Sequence, residues 1–282
     1  MTVAQALKIA TGLLTEAGLE APFWQSKVMA AHLLDKSPSQ ITSSEELSLS
    51  PGKEESFFSL VKRRIIGEPL QHIIGNWDFF GRTFTVSPEV LIPRPETELL
   101  VEKALQFPLP HNPVILDAGT GSGVIGITLA LEVPGSTVIG TDISREAAVL
   151  ALKNAKLHSA DNFLPVICHL AEAVLCPFDL ITANLPYIPT GEIPGLHPVV
   201  RDHEPITALD GGENGISLIL ELVLNTSRIL KPGGVIILET GREQETSVPE
   251  LFSRKIWERV ETHRDLAQNH RFVTAVRSKS GI

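Results

Sequence analysis

Short apolar runs alternate with amphipathic helical segments along most of this chain, and this alternation constrains the fold more than any other feature. The runs of strand length lie at 114–116, 137–141, 164–167, 179–183 and 234–239, helical segments lie at 124–132, 145–157 and 217–230, and two further strands are expected at 256–262 and 271–277. Such alternation is typical of a mostly parallel sheet covered by crossover helices. We therefore predict an α/β fold for this part of the chain.

The first 75 residues have a different, helical pattern. Thr2 and Gln5 form a possible capping box, and apolar residues then recur at helical spacing. About three helices are expected in this region. We predict a small helical domain at 1–75, a β-hairpin linker at 76–93 and the larger domain at 94–282.

Composition limits the classes of protein and the cellular compartments that fit this chain. A chain of 282 residues with 43% hydrophobic content can bury a core in both domains. The net charge of −9 weighs against a protein that mainly grips duplex DNA, and Lys62-Arg63-Arg64 is better explained as a solvated helix face. No apolar run approaches the roughly 20 residues of a membrane helix, and no secretory signal is recognisable. Because Cys168 and Cys176 fit neither a disulfide framework nor a common metal motif, we expect a cytoplasmic protein.

A glycine-rich turn follows the first strand of the larger domain. The turn reads Asp117-Ala118-Gly119-Thr120-Gly121-Ser122-Gly123, and a helix begins directly after it. Glycines let a ligand approach the backbone closely, and the helix N-terminus offers unpaired amides. Asp142 ends the next strand, where a carboxylate can accept hydrogen bonds from both hydroxyls of a ribose. This combination predicts a nucleoside-binding site.

Two nucleoside ligands remain compatible with this turn. Residues 121–126 spell the dinucleotide fingerprint G-x-G-x-x-G, so a dinucleotide-dependent oxidoreductase is one interpretation. Two features favour S-adenosylmethionine instead: Asp117 stands at the strand end before the first glycine, and the spacing Gly119-x-Gly121-x-Gly123 resembles the first motif of class I methyltransferases. A purely structural glycine turn is the remaining alternative.

A second loop, Asn184-Leu185-Pro186-Tyr187, follows the strand at 178–183 and should reach the same edge of the sheet. An amide or exocyclic amine nitrogen is a poor nucleophile, because its lone pair is delocalised. The carbonyl oxygens of the Asn184 side chain and the Leu185 backbone can accept hydrogen bonds from such an NH2 group and orient it. Pro186 stiffens the loop, and Tyr187 offers a flat surface to a planar group. The loop predicts methylation of a planar NH2 group.

The whole chain resembles the bacterial peptide chain release factor N5-glutamine methyltransferases, the HemK/PrmC family. Besides the asparagine loop, three further stretches carry this resemblance. They are Gly67-Glu68-Pro69-Leu70-Gln71-His72-Ile73-Ile74-Gly75, Val90-Leu91-Ile92-Pro93-Arg94-Pro95-Glu96-Thr97-Glu98, and Glu204-Pro205 with Ala208-Leu209-Asp210-Gly211-Gly212.

The resemblance implies a class I S-adenosylmethionine-dependent methyltransferase with a Rossmann-like, mostly parallel seven-stranded sheet behind a small N-terminal helical domain. It implies methyl transfer to the glutamine of a Gly-Gly-Gln motif in a release factor, with S-adenosylhomocysteine as the second product. We expect the N-terminal helices to bind the release factor. A monomer with no metal, no membrane association and no direct sequence-specific nucleic acid binding is expected.

The resemblance also assigns residues. The cofactor-binding residues would be Asp117, Gly119, Thr120, Gly121, Ser122, Gly123, Asp142, Ile143, His169, Leu170 and Asn184. Asn184, Pro186 and Tyr187 would be catalytic, and substrate would contact Asn184, Leu185, Pro186, Tyr187, Arg94 and Glu96. A salt-bridged helix start is the alternative explanation for Arg94 and Glu96.

Two positions depart from the family pattern. Leu185 replaces the more common first proline of the loop, which is tolerable because this position contributes a backbone carbonyl. After the third strand, Cys168-His169-Leu170-Ala171-Glu172 stands where an acidic residue followed by an apolar one is usual. Either His169 and Leu170 contact the adenine, or Glu172 does.

Two other functions share part of this pattern. An adenine-N6 or cytosine-N4 nucleic-acid methyltransferase would use the same asparagine-loop chemistry, but the acidic charge and the lack of an obvious target-recognition insertion argue against it. A non-catalytic module that recruits release factors is the more remote alternative.

Overall fold

The computed structural model describes residues 1–42 and 46–279. The chain divides into two compact units, Met1–Asn76 together with His197–His203, and Trp77–Leu196 together with Glu204–Ile282. The short internal segment thus belongs to the unit that is otherwise N-terminal. Among the described helices, none is long and apolar enough to cross a membrane.

The first unit is helical. Its helices are α1 (Val3–Glu16), α2 (Pro22–Leu34), α3 (Pro38–Thr42), α4 (Pro51–Ile65), α5 (Leu70–Ile74) and, numbered by its place in the chain, α9 (Pro198–Arg201). The expected capping box is present, since the Thr2 hydroxyl accepts from the Gln5 backbone amide and the Gln5 carboxamide accepts from the Thr2 amide. The three long helices were expected, whereas α3 and α5 are too short to produce a periodic signal.

The aromatic residues of this unit differ in burial. Phe57 of α4 is fully packed, whereas Trp24 of α2 leaves 47% of its surface exposed. Trp24 therefore does not serve as a core residue. It lies in the first turn of α2.

A two-stranded hairpin precedes the large sheet, as expected. Strands β1 (Asn76–Phe79) and β2 (Arg82–Thr85) pair with each other, and Phe80 and Gly81 between them both have positive φ angles, of 50° and 71°. Two residues of positive φ form the tight turn that suits a right-twisted hairpin.

The second unit contains the predicted seven-stranded sheet. Its strands are β3 (Val114–Ala118), β4 (Thr137–Asp142), β5 (Phe163–Ile167), β6 (Phe178–Ala183), β7 (Leu230–Glu239), β8 (Trp257–Arg264) and β9 (His270–Arg277). Their order is β5-β4-β3-β6-β7-β9-β8. The first five are parallel to one another, while β9 is antiparallel to β7 and β8. The mostly parallel sheet predicted from the sequence is confirmed.

The strand order reverses direction between β3 and β6. From β3 the chain continues outward to β4 and β5 on one side, and β6 and β7 lie on the other side. In doubly wound folds, ligands bind at such a reversal, beyond the carboxyl ends of the strands. The glycine turn follows β3 and the asparagine loop follows β6. Both motifs therefore flank the position where this fold binds ligands.

Helices cover both faces of the sheet. The helices are α6 (Pro95–Gln106), α7 (Val124–Glu132), α8 (Arg145–Leu157) and α10 (Ser217–Ile229). Ile115 packs in one apolar cluster with residues of α6, α7 and α8, and its neighbour Leu116 packs in a second cluster with residues of α10. Because β6 is buried at every position, its apolar run lacks the alternation of a half-exposed strand.

Candidate active site

The Asp117 carboxylate holds the glycine turn from below. Its Oδ2 accepts hydrogen bonds from the Thr120 hydroxyl at 2.6 Å and the Gly126 amide at 3.0 Å, and its Oδ1 accepts one from the Thr182 hydroxyl at 3.0 Å. Only 1% of Asp117 is exposed, and burial raises the pKa of its carboxyl to about 6. Its hydrogen-bonding capacity is largely committed to the fold, so Asp117 shapes the turn.

Asp142 is placed differently, at the end of the neighbouring strand β4. Its Oδ2 accepts from the Gly121 amide and its Oδ1 from the Ser144 amide, both at 2.9 Å. Burial raises the pKa of the Asp142 carboxyl, but the side chain is only partly covered and faces a cleft. Each carboxylate oxygen retains accepting capacity, which two ribose hydroxyls can use.

The glycine turn and the asparagine loop lie against each other. Gly119 has a φ of 70°, and a Cβ added there would lie 2.8 Å from Cδ2 of Leu185. A Cβ on Gly121, also at positive φ, would meet nothing within 4 Å. The first glycine thus permits contact between the two loops, while the second leaves an open cradle above the turn.

Asn184 is held by a chain of two hydrogen bonds, of which the second is buried. Its Nδ2 donates to the Thr97 hydroxyl at 3.2 Å, and the Thr97 hydroxyl donates to Oε2 of Glu239 at 2.8 Å. Thr97 and Glu239 are each only 2% exposed. Burial raises the pKa of the Glu239 carboxyl to about 7. Neither residue is among the site residues expected from the sequence, although Thr97 lies in a signature stretch and Glu239 ends an apolar strand.

The remainder of the asparagine loop is supported from behind. The Gln244 carboxamide donates to the backbone carbonyls of Tyr187 at 2.9 Å and Gly215 at 3.0 Å. A Cβ on Gly211 would lie 2.7 Å from the Pro186 carbonyl oxygen, so the signature turn at 210–212 packs directly on the loop. Burial raises the pKa of the Tyr187 phenol to about 12. Tyr187 is therefore neutral at physiological pH.

These loops enclose one cleft with about 980 Å³ of empty space, a volume that includes part of the open solvent. A concave cleft lined by apolar side chains and a few polar groups suits a small-molecule ligand. Among its lining residues are the predicted site residues Arg94, Gly119, Thr120, Gly121, Ser122, Asp142, Ile143, His169, Leu170, Asn184, Leu185 and Pro186. Thr97, Ser144, Pro205 and Thr207 line it without having been singled out as site residues.

Four predicted site residues do not line the cleft. Asp117 and Gly123 lie beneath the glycine turn, where a Cβ on Gly123 would lie 3.1 Å from Cβ of Ala151 in α8. Tyr187 lies behind the loop, among apolar residues, and Glu96 is exposed at the start of α6. Direct ligand contact by these four remains a prediction, and their observed surroundings fit a supporting role.

Arg94 and Glu204 form an ion pair at the cleft. A guanidinium nitrogen of Arg94 donates to Oε1 of Glu204 at 2.5 Å, although 110 residues separate the two in sequence. The side chain of Glu204 is only 1% exposed, and burial raises its pKa despite the attached guanidinium. The salt-bridged helix start envisaged for Arg94 is thus present, but its partner is Glu204.

The segment after β5 contributes His169 and Leu170 to the cleft, whereas Glu172 is exposed and absent from the lining. This placement favours the first of the two alternatives for the adenine-side contact. The His169 ring bonds to the Glu221 carboxylate at 2.8 Å, and ligand atoms of His169, Glu172 and Glu221 lie within 4.8 Å of one another. Exposed acidic groups are commonly grouped in this way without binding an ion.

The site residues fit a nucleoside cofactor. The Gly121 cradle is open, the Asp142 carboxylate is available beside it, and Leu170 and Ile143 offer apolar surface on the same side. A ribose on the carboxylate and a planar base between apolar side chains would use each of these features. The loop that carries Asn184 contacts the glycine turn at Gly119, next to this cradle.

Comparison with known proteins places the two regions in families. Residues 5–75 match the family described as the PrmC N-terminal domain, and residues 110–273 match a methyltransferase domain family. A solved methyltransferase from Pyrococcus furiosus has a similar fold, with a TM-score of 0.53 at 19% identity over 72% of this chain and 91% of that chain.

Curated relatives match along the whole chain. The release factor glutamine methyltransferase of Nitratidesulfovibrio vulgaris is 35% identical over 96% of this chain and 94% of that protein. The proteins of the same name from Geobacter sulfurreducens and Caulobacter vibrioides are 37% and 34% identical over 90% and 99% of this chain, and 89% and 97% of their own lengths. With its methyltransferase fold and its matching N-terminal region, the chain belongs to the release factor glutamine methyltransferase family.

Proposed function

We propose that this protein transfers a methyl group from S-adenosyl-L-methionine to the side-chain amide nitrogen of the glutamine in the Gly-Gly-Gln motif of peptide chain release factors, and so modulates translation termination. The observation that carries the proposal is the Asn184 loop, which lines the same cleft as the glycine turn and Asp142. One half of the cleft is suited to a nucleoside, and the other presents acceptors to a planar NH2 group.

The cofactor half would bind through Asp142, the amides of the glycine turn, Ile143, His169 and Leu170. When bound, S-adenosylmethionine supplies an activated methyl group on a positively charged sulfur. The carboxylate orients the ribose, and the open cradle above Gly121 leaves room for the rest of the molecule.

The acceptor half of the cleft orients the side-chain amide of the substrate glutamine. The Asn184 side-chain carbonyl and the Leu185 backbone carbonyl accept hydrogen bonds from the glutamine NH2 and direct its nitrogen lone pair. As the nitrogen gains positive charge, its interactions with both carbonyl oxygens become stronger. No strong base is needed, because the acidified N–H proton passes to water after transfer. Since the pKa of Tyr187 is about 12, its phenol does not serve as that base.

The N-terminal unit is proposed to recognise the folded release factor. Its match to the PrmC N-terminal domain family supports this assignment, together with alignment over 94% of the length of a relative whose name specifies release factors. We further propose that the protein acts as a cytoplasmic monomer. We also propose that it does not bind nucleic acid sequence-specifically, in keeping with its net charge of −9.

Mass spectrometry tests the proposal. A purified release factor incubated with enzyme and S-adenosylmethionine should gain one methyl group on the peptide that contains the Gly-Gly-Gln glutamine. A release factor with this glutamine replaced by alanine is the matched control, and it should remain unmodified. Labelling of DNA or RNA with no labelling of the release factor would reject the proposed substrate.

A further inference from the structure

The orientation of the Asn184 amide is decisive, because its two ends have opposite hydrogen-bonding properties. The Oδ1 end accepts, whereas the Nδ2 end only donates. A substrate NH2 can be held by Oδ1 and would be repelled by Nδ2. The two orientations occupy nearly the same space, so only the hydrogen-bond partners decide between them.

Thr97 is the partner that decides. Its hydroxyl has one hydrogen, and it lies 2.8 Å from Oε2 of Glu239 and 3.2 Å from Nδ2 of Asn184. An ionised Glu239 can only accept, so the Thr97 hydrogen points at Glu239. The Thr97 oxygen is then left as an acceptor, and it selects the NH2 end of Asn184.

We propose that Thr97 and Glu239 are positioning residues for methyl transfer, which fix the Asn184 amide with its carbonyl oxygen available to the substrate. The proposal rests on the proposed function, because it assumes an acceptor NH2 group at Asn184. The chain of three side chains comes from the start of α6, the loop after β6 and the end of β7, and the Thr97–Glu239 bond is fully buried. Water therefore does not compete for the hydrogen bond between Thr97 and Glu239.

The protonation state of Glu239 controls the direction of the chain. A protonated Glu239 can donate to Thr97, which frees the Thr97 hydrogen to bond Oδ1 of Asn184 and stabilises the wrong orientation. Burial raises the pKa of Glu239 to about 7. The ionisable groups that act on it electrostatically are Arg94, Glu96, Tyr187 and Arg271.

Kinetics of the full-length enzyme with a release factor test the proposal. Thr97→Val, which keeps the shape and removes the hydroxyl, should lower kcat about tenfold or more while KM for the release factor and the affinity for S-adenosylhomocysteine stay within about twofold. Thr97→Ser should restore most of kcat. Thr226→Val is the matched control, since Thr226 is also fully buried and its hydroxyl donates within α10, to the Val223 carbonyl. It should leave kcat unchanged.

A double-mutant cycle separates positioning from general structural damage. In an Asn184→Ala background, Thr97→Val should cause no further loss of kcat, because the amide to be oriented is gone. An equal loss in both backgrounds would overturn the proposal, as would a wild-type kcat for Thr97→Val or a loss of cofactor affinity equal to the loss of kcat.

The dependence of kcat on pH tests the proposal even if the Thr97→Val variant does not fold. The kcat of the wild type should fall as pH is lowered through about 7, and Glu239→Gln, which retains an accepting oxygen, should lack this fall. Identical profiles for the two proteins would overturn the proposal. If the wild type did not methylate release factor at all, the proposed function would fail instead.

Discussion

Asp117 and Asp142 are both aspartates near the carboxyl ends of neighbouring strands, but their surroundings give them different roles. Asp117 accepts hydrogen bonds from Thr120, Thr182 and Gly126 and is almost completely buried. Asp142 accepts from two backbone amides and still faces the cleft. The first supports the glycine turn, and the second is available to a ligand.

Replacing Asp142 by Asn should weaken cofactor binding. Because a hydrogen bond to a charged acceptor contributes roughly 1.5–3 kcal/mol, we expect the Kd for S-adenosylhomocysteine to rise about tenfold or more. Titration calorimetry measures this change. Asp161→Asn is the control, since Asp161 is exposed and outside the cleft. An unchanged Kd for Asp142→Asn would contradict the role given to Asp142.

Glu239 should make stability depend on pH. Its pKa is raised from 4.5 to about 7, first by burial, so the folded state binds this proton more tightly than the unfolded chain. The resulting stabilisation is complete below about pH 4.5 and is lost as pH rises through about 7. Relative to Glu239→Gln, the wild-type free energy of unfolding should therefore fall over this range, by on the order of 3 kcal/mol.

Urea denaturation of both proteins at a series of pH values measures this difference. Asp117, with a pKa raised to about 6, titrates in both proteins, so its contribution cancels in the comparison. A constant difference in stability across the range would show that Glu239 does not titrate there.

At the scale of elements, the active site is a set of loops packed backbone to backbone. The turn at 210–212 supports the asparagine loop, since Gly211 leaves no room for a Cβ between the carbonyl oxygens of Pro186 and Gly215, at 2.7 and 2.6 Å. Neither obstacle is a flexible side chain. Any side chain at 211 must therefore displace the loop.

Gly211→Ala should accordingly lower kcat without abolishing cofactor binding. A displacement of the acceptor loop by a few tenths of an ångström should cost about tenfold or more in kcat, since catalysis depends on alignment of the reacting groups. Gly195→Ala is the matched control, because a Cβ at 195 meets nothing within 4 Å. Steady-state kinetics and calorimetry distinguish the two effects, and a fully active Gly211→Ala would mean that the loop tolerates movement.

At the scale of the whole molecule, the cleft lies in one unit, and recognition of the release factor is proposed for the other. Every residue lining the cleft belongs to the second unit. The first unit, Met1–Asn76 with His197–His203, contributes none of them. If this unit recognises the folded release factor, its loss should affect the protein substrate alone.

A chain that begins at Trp77 tests this division. We expect its affinity for S-adenosylhomocysteine, and its methylation of a short Gly-Gly-Gln peptide, to stay within a few-fold of the full-length chain, while KM for the release factor rises about tenfold or more. The peptide is the internal control for damage to the site, including damage from the 197–203 segment that loses its packing partners. Equal KM values for the release factor would place recognition in the second unit.

Much of the fold was predictable because strong periodicity marks it locally. The strands and helices from β3 to β6, the hairpin, and the three long helices of the first unit all agree with their patterns to within a few residues. The one-turn helices α3 and α5 were missed, since five residues cannot establish a period. Strand β7 begins at Leu230 rather than 234, because its first residues pair with β6 across a register shift.

The sequence by itself determined the parallel sheet, the glycine turn, Asp142 and Asn184, because each is a local motif at the end of an apolar strand. Only the tertiary structure decided which residues support them. Thr97 and Glu239 are 142 residues apart, and the Asn184 amide reaches Thr97 across 87. Such pairs leave no local pattern. They are joined because the carboxyl ends of parallel strands and the start of α6 meet at one edge of the sheet, where burial makes each hydrogen bond specific.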